Sequence, residues 1–194
     1  DLGYRTTEND IYFESVGSRD IGWAVDPYIS VTFRSALTKG YNYKVDPVDQ
    51  IVDFFDPGYL TEAIGFTYDK NKIITTRLGI AFQQTFADKF DSVYTDDPET
   101  LNEIEKFKFD TGLESVTEVK YEFLPNMNYY SFLRLFTRFN SFDVWDVRWD
   151  NIITAKVNDY INVNLAVTVL HEIKQTRKTQ LREALQLGFS YAIF

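Results

Sequence analysis

Apolar and polar residues alternate with a period of two along most of this chain. The clearest stretch runs from Lys106 to Phe123. Its apolar positions are Phe107, Phe109, Leu113, Val119, Tyr121 and Phe123, and its charged positions are Lys106, Lys108, Asp110, Glu114, Glu118, Lys120 and Glu122. Successive side chains of a strand point to opposite faces of a sheet. The pattern therefore predicts long strands with one apolar face and one charged face.

Read in this way, the alternation predicts strands over 20–37, 59–69, 72–86, 106–124, 128–139, 145–157, 160–173 and 180–194, with a weaker one at 10–16. Tight connections at 69–72, 124–128 and 157–160 contain Asn, Asp or Pro, the usual turn residues. The connections at 38–58, 87–105, 140–144 and 174–179 are longer and polar. Strict alternation of long and short connections is typical of an antiparallel meander that crosses a membrane, with short periplasmic turns and longer outside loops.

The two faces suit different surroundings. The apolar face suits lipid, and aromatic residues near strand ends are expected to form a girdle there. The predicted girdle consists of Phe66, Tyr68, Tyr121, Phe123, Tyr129, Trp149, Phe189 and Tyr191. The residues predicted to face the lumen are Arg34, Arg77, Lys106, Lys108, Glu114, Glu118, Lys120, Glu122, Arg134, Arg138, Arg148, Asp150 and Lys156. Because side chains fill small barrels, these charges are expected to pair rather than to line a wide channel.

Composition supports this interpretation. The chain has 194 residues, 17% of them aromatic, and no linker rich in Pro, Gly or Ser, so a single domain over 1–194 is expected. It has no run of about 18 apolar residues that would predict a helical span, whereas a barrel strand needs only ~9 to 11 residues. The expected fold is all-β, an antiparallel up-and-down transmembrane β-barrel with about 8 readable strands. The expected location is the bacterial outer membrane.

Charge and cysteine content narrow the classes of function. The net charge of -9 and the lack of a Lys/Arg cluster argue against nucleic acid as a partner, because phosphate binding needs basic side chains. The absence of cysteine excludes thiolate chemistry and disulfides. The expected partners are outer-membrane lipid and lipopolysaccharide, and other outer-membrane proteins are further candidates.

Several segments resemble an uncharacterised outer-membrane β-barrel family of Bacteroidota-type bacteria, a family known only as a domain of unknown function. They are Pro57 to Phe66, Phe33 to Ala36 leading into Lys39 to Tyr41, and the closing Leu187 to Tyr191. The resemblance implies a fold and a location but no activity. It also implies further strands ahead of Asp1, which would give a complete barrel of about 10 to 12 strands.

The candidate chemistry is sparse. His171, the single histidine, is expected near the rim and roughly opposite Glu183, but a lipid hydrolase would also need a nucleophilic serine within reach. Acidic loop residues could coordinate Ca²⁺, although they lack EF-hand spacing and solvated charge is the preferred interpretation. These loop residues are Asp53, Asp56, Asp88, Asp91, Asp96, Asp97 and Glu99. We therefore expect no enzyme, no cofactor and no metal.

The alternation leaves more than one function open. The default expectation is a narrow pore or an envelope scaffold, and an accessory subunit of a larger outer-membrane complex is an alternative. A soluble β-barrel that binds an apolar ligand is the competing class, because there the apolar residues would face inward and the charges outward. The sequence pattern is the same in both cases.

Overall fold

The structure, a computed structural model, describes residues 9–42, 47–69, 73–97, 104–172 and 179–189. Within them the chain is all-β apart from the short helix α1, Asp91–Tyr94. The strands are β1 (Asp10–Ser18), β2 (Asp26–Ala36), β3 (Gly40–Asn42), β4 (Asp49–Val52), β5 (Gly58–Tyr68), β6 (Ile74–Phe86), β7 (Phe107–Leu124), β8 (Met127–Arg138), β9 (Ser141–Lys156), β10 (Ile161–His171) and β11 (Gln180–Phe189).

Nine of these strands form one sheet, in the order β1-β2-β5-β6-β7-β8-β9-β10-β11, and β3 pairs with β4 in a second, two-stranded sheet. The registers from β7 to β11 are antiparallel throughout. Strands that are neighbours in the large sheet follow one another along the chain, with only β3 and β4 inserted. The expected all-β class and the antiparallel meander are therefore confirmed.

The start of the expected strand 20–37 is wrong, because β2 begins only at Asp26. A turn occupies the preceding residues. The Asp20 carboxylate accepts the backbone N–H of Gly22 (2.8 Å), and the Asp26 carboxylate accepts the backbone N–H of Ile21 (3.1 Å). Gly22 has a φ of +79°, a conformation that glycine adopts at little cost. Side-chain hydrogen bonds thus replace the strand ladder here.

The long connection expected at 140–144 is also wrong, because β9 already begins at Ser141 and only Phe139 and Asn140 separate it from β8. Residues 142–144 form a bulge in β9, where the register with β8 shifts. Thr137 pairs with Trp145, whereas Arg138 pairs with Ser141. The Thr137 hydroxyl donates to the Val144 carbonyl (2.9 Å) and so holds the bulged segment in the sheet. Long and short connections therefore do not alternate strictly.

The chain divides into two compact units. The first comprises Asp1–Gly17, Ile29–Ile64 and Ala81–Thr111. Its buried cluster joins Tyr59, Ala87 and Tyr94, with Val52 and Phe90 packed against it. The Tyr94 hydroxyl donates to the Ile51 carbonyl (3.2 Å) and so links α1 to β4. Strands β3 and β4 and helix α1 were not expected from the alternation, because each is only one turn or a few residues long.

The second unit comprises Ser18–Tyr28, Gly65–Ile80 and Gly112–Phe194. Its buried apolar residues include Phe136, which is almost fully buried, together with Val116, Phe132 and Leu170. Gly112 faces Phe136 and Thr137 of β8. A Cβ added at Gly112 would lie 2.1 Å from the Thr137 carbonyl oxygen, so only glycine permits this approach of the two backbones.

Candidate functional site

On part of the large sheet, burial is the reverse of that in a soluble core. On β2, the buried side chains include Asp26, Ser30 and Thr32, whereas Ile29 is 62% exposed. The same reversal holds along β5, β6 and the first half of β7. The buried polar residues of these strands are Thr61, Thr67, Arg77, Gln83, Thr85, Asp110 and Glu114. The exposed apolar residues between them are Ile64, Phe66, Leu78, Ile80, Phe86, Phe107 and Phe109.

Ion pairs fill the polar face of the second unit. Arg134 Nε lies 2.6 Å from Glu114 Oε1, and Arg138 Nη2 lies 3.0 Å from Asp146 Oδ2. The Arg148 guanidinium contacts Asp150 through Nε (2.7 Å). The other Asp150 oxygen accepts the Thr168 hydroxyl (2.7 Å). We refer to these residues, Glu114, Arg134, Arg138, Asp146, Arg148, Asp150 and Thr168, as the ion-pair network.

Strand register explains the network. Arg134 of β8 is directly opposite Arg148 of β9, a placement that would be repulsive in isolation. Glu114 on β7 neutralises the first guanidinium, and Asp150, two positions along β9, neutralises the second. Period-two spacing along three strands therefore produces alternating charge on one face.

Two further arginines of the predicted lumen set contact aromatic rings. The guanidinium of Arg34 lies 4.7 Å from the centre of the Tyr59 ring, and that of Arg77 lies 6.0 Å from the centre of the Tyr28 ring. Both distances fit cation–π contacts. Aromatic rings on the polar face thus help to hold the basic side chains.

The thirteen residues of the predicted lumen set differ in burial. Arg77, Glu114 and Arg138 are buried, and the half-buried members are Arg34, Lys108, Glu118, Arg134, Arg148 and Asp150. The exposed members are Lys106, Lys120, Glu122 and Lys156. Lys106 precedes β7 and pairs with Asp88. The predicted set omitted the buried Asp26 and the half-buried Asp146, although both are in phase with polar neighbours on their strands.

The predicted girdle residues lie on the exposed face wherever the structure describes them. Phe66, Tyr68, Tyr121, Phe123, Trp149 and Phe189 are exposed and Tyr129 is half-buried, while Tyr191 lies outside the described residues. Two polar side chains on this face bond to aromatic neighbours. Tyr129 Oη donates to Asn151 Oδ1 (2.6 Å), and Trp149 Nε1 donates to Ser131 Oγ (3.0 Å). The polar groups of an apolar surface are thereby satisfied.

A tight turn in the first unit carries two exposed phenylalanines. The backbone N–H of Asp53 donates to the carbonyl of Asp56 (2.9 Å), and the N–H of Asp56 donates back to Asp53 (3.1 Å). Phe54 and Phe55 form the tip and are both more than half exposed. Phe55 has a φ of +61°, an unusual conformation for a bulky residue. We call residues 53–56 the aromatic hairpin.

Carboxylates attach the aromatic hairpin to the segment after β6. Asp53 accepts hydrogen bonds from Lys89 Nζ (3.0 Å), Gln50 Nε2 (3.1 Å) and the backbone N–H of Phe54 (2.9 Å). The hydrogen bond from Lys89 is the main reason why the pKa of Asp53 falls to about 2. Asp56 accepts the backbone N–H groups of Asp88 (3.2 Å) and Lys89 (2.7 Å).

These hydrogen bonds affect whether the acidic loop residues can coordinate Ca²⁺. The carboxylates of Asp53 and Asp56 already accept hydrogen bonds within the protein. In the described ranges, no group of three or more His, Asp or Glu side chains is arranged to hold a metal ion. Glu99 lies outside those ranges.

A cleft of about 380 Å³ lies beside the aromatic hairpin. Its lining consists of Phe54, Phe55, Asp56, Phe86, Ala87, Asp88 and Lys106. The Phe86 ring packs at 5.2 Å from that of Phe107. The Lys106 ammonium forms an ion pair with the Asp88 carboxylate, which raises the pKa of Lys106 and lowers that of Asp88. The cleft, hereafter the loop cleft, thus combines aromatic walls with both signs of charge.

His171 does not face Glu183 as expected. Glu183 pairs with Val167 of β10, and Leu170 pairs with Gln180. His171 Nδ1 instead lies 3.2 Å from the Thr179 hydroxyl. The register of the β10–β11 hairpin therefore separates the two side chains that the sequence had suggested as a pair.

Among the described residues, no helix is long and apolar enough to cross a membrane. Comparisons of the chain with family models, curated proteins and solved structures found no match.

Proposed function

We propose that this chain is an integral outer-membrane β-barrel protein that acts as a narrow pore or envelope scaffold and has no catalytic site. The observation that carries the proposal is the reversed burial along β2, β5, β6 and the first half of β7, where many polar and charged side chains are buried and large apolar side chains such as Ile29, Ile64 and Phe66 are exposed. Outer-membrane barrels present an apolar band to lipid and a polar face to the interior.

The energetics of the exposed face favour lipid over water. Exposing apolar surface to water costs about 25 cal/mol per Å². Contiguous exposed patches of more than a few hundred Å² mark interaction surfaces in soluble proteins. Here exposed apolar residues recur along strand after strand, as in Ile64 and Phe66 of β5 and Leu78 and Ile80 of β6. A lipid environment removes this cost.

Strand length and strand order agree with a membrane-spanning barrel. β5 has 11 residues, β6 has 13 and β7 has 18, whereas a tilted strand needs about 9 to 11 to cross the hydrocarbon core. In a membrane every backbone polar group must be satisfied, so the proposal requires the sheet to close into a barrel. Membership of the uncharacterised outer-membrane family remains a prediction, as does contact with lipid and lipopolysaccharide.

The ion-pair network favours a filled or narrow interior. Salt bridges at 2.6 to 3.0 Å join Arg134, Arg138 and Arg148 to carboxylates. Paired charges of opposite sign occupy space, and small barrels are filled by their own side chains. A wide channel would instead leave such residues solvated at its wall.

The alternatives differ in what they require of the two faces. A soluble barrel with an apolar ligand requires apolar side chains inside, and the exposure of Ile29, Ile64 and Leu78 favours the membrane proposal over it. An accessory subunit of a larger outer-membrane complex uses the same two faces and remains the second candidate. It would retain a protein partner after purification.

Membrane fractionation tests the proposal. The full-length protein is expected to stay in outer membranes after alkaline carbonate and to migrate differently on a gel with and without heating. Recovery in the soluble fraction, with no heat-dependent migration, would refute it. Co-purification of a second protein in stoichiometric amounts would favour the accessory subunit.

A further inference from the structure

We propose that the loop cleft binds one lipid that carries a phosphoethanolamine group, with an acyl chain against the phenylalanines and the phosphoethanolamine group on Lys106 and Asp88. This inference rests on the proposed function, because such a lipid would come from the surrounding membrane. It adds a binding site and a ligand class to that function.

The position of the aromatic hairpin places the cleft on the exposed side of the sheet. Phe55 stacks on Phe33 of β2, with ring centres 5.1 Å apart. Phe33 is in phase with the exposed Ile29 and Val31. Ser35, the next residue in that phase, is buried and donates to the Pro57 carbonyl (2.9 Å). The hairpin therefore covers the end of the apolar face of β2.

The aromatic surface continues on both sides of the cleft. Phe86, in its lining, packs on Phe107, and Phe82 packs on Phe109 with ring centres 6.3 Å apart. Phe86, Phe107 and Phe109 are exposed. If this face meets lipid, the cleft opens at the depth where hydrocarbon gives way to headgroups, and an acyl chain reaches it directly.

The charges in the lining match a zwitterion better than an anion. Lys106 supplies one ammonium, and Asp88 supplies a carboxylate beside it. A phosphoethanolamine headgroup carries a phosphate that can pair with the Lys106 ammonium and an ammonium that can pair with the Asp88 carboxylate. Asp56 adds negative charge to the lining, which disfavours a purely anionic lipid.

The ion pair can exchange partners at little cost. The side chains of Lys106 and Asp88 are 66% and 80% exposed. Pairs this exposed contribute little to stability. A bound headgroup would replace one such contact with two charge-assisted hydrogen bonds in a less hydrated setting.

The cleft wall is held in place before any ligand arrives. Asp53 and Asp56 fix the hairpin through Lys89 and through the backbone N–H groups of residues 88 and 89. Phe55 keeps a positive φ of 61°, an unusual backbone conformation for a bulky residue. Preorganisation of this kind lowers the entropic cost of binding.

Native mass spectrometry of the full chain, folded in detergent and incubated with dioleoyl phosphatidylethanolamine or dioleoyl phosphatidylglycerol, tests the site. We expect one retained phosphatidylethanolamine, held about tenfold more tightly than phosphatidylglycerol. The double variant Lys106→Gln/Asp88→Asn leaves the net charge unchanged and is expected to lose this preference. Phe54→Ser is expected to weaken retention of the ethanolamine lipid by about tenfold.

Matched controls come from the second unit. Lys156 and Asp159 form another exposed ion pair (2.8 Å), so Lys156→Gln/Asp159→Asn is expected to retain the lipid as the wild type does. Phe142 is an exposed ring stacked on Phe139, so Phe142→Ser is the control for Phe54→Ser and is expected to retain the lipid as the wild type does.

The outcomes separate the two proposals. A folded, heat-modifiable barrel that shows no preference, or whose preference survives Lys106→Gln/Asp88→Asn, overturns the lipid site alone. A second copy of the chain retained in place of lipid also overturns it. A chain that yields no heat-modifiable barrel overturns the proposed function, and the lipid site with it.

Discussion

Arg134 and Arg148 lie directly opposite each other on β8 and β9, and each guanidinium is held by a different carboxylate, Glu114 for the first and Asp150 for the second. Two like charges on one rung are tolerated because the neighbouring positions carry opposite charges. This arrangement makes the polar face a set of mutually dependent ion pairs.

Removal of one carboxylate should therefore be costly. Glu114→Gln leaves the largely buried Arg134 beside Arg148 without its counter-charge, and the expected loss is about 3 kcal/mol of unfolding free energy. Urea unfolding followed by the heat-dependent gel shift measures it. Glu118→Gln is the control, since its partner Lys120 is mostly exposed, and little loss is expected. Equal losses in the two variants would contradict the network.

The stability effects of substituting Tyr129 and Asn151, which share a hydrogen bond on the exposed face, should be coupled. Tyr129→Phe and Asn151→Ala each remove one side of the 2.6 Å contact between Tyr129 Oη and Asn151 Oδ1. A double-mutant cycle is expected to give a coupling of about 1 kcal/mol, because a polar group on an apolar surface needs its partner. Additive effects of the two substitutions would show that each group finds another partner.

Conductance should depend on the ion-pair network. The wild-type protein in planar bilayers is expected to give small or no current steps, because the paired side chains would occupy the interior of the proposed barrel. Arg148→Ser/Asp150→Ser removes one pair and is expected to raise the conductance. Lys156→Gln/Asp159→Asn, at the exposed end of β9 and in the turn that follows it, should leave the conductance unchanged. Large wild-type steps that the first variant does not alter would contradict the filled interior.

The aromatic hairpin should respond to acid. The pKa of Asp53 is lowered from 3.8 to about 2, chiefly by Lys89, so the Asp53–Lys89 link stabilises the folded state above about pH 4. That contribution is lost as the pH falls through the folded-state value near 2. Lys89→Met is expected to return the pKa of Asp53 toward 3.8. An NMR titration of the Asp53 carboxyl carbon measures both, and an unshifted wild-type value would contradict the link.

The sequence predicts the long strands because their signal is repeated many times. β5 to β8 each carry several full periods of alternation, and their ends fall within a few residues of the expected ones. The prediction of a loop at 140–144 was wrong because Asn140 and Asp143 are typical loop residues. In the structure, a bulge fixed by the Thr137 hydroxyl keeps residues 141–144 in β9. That hydrogen bond depends on register, which the local pattern does not contain.

The sequence predicts which residues share a face of the sheet, but it does not predict their contacts. Arg134 and Glu114 could be assigned to one face from phase alone, yet their pairing needed the β7–β8 register. Period two also places Ile64 and Thr61 on opposite faces, but only the structure distinguishes the buried face from the exposed one. The loop cleft was not foreseen, because it joins residues 54–56 to residues 86–88 and 106 through contacts remote in sequence.

Site-directed spin labelling tests the central claim most directly, and the absence of native cysteines makes each introduced cysteine the sole label site. Ile64→Cys and Leu78→Cys place labels on the exposed apolar face, and Glu118→Cys places one on the polar face. In reconstituted bilayers the first two labels are expected to collide often with oxygen and to be shielded from a water-soluble nickel complex. The third label, on the filled polar face, is expected to collide less with oxygen than the first two. Labels at positions 64 and 78 that the nickel complex reaches freely would contradict a lipid-facing surface.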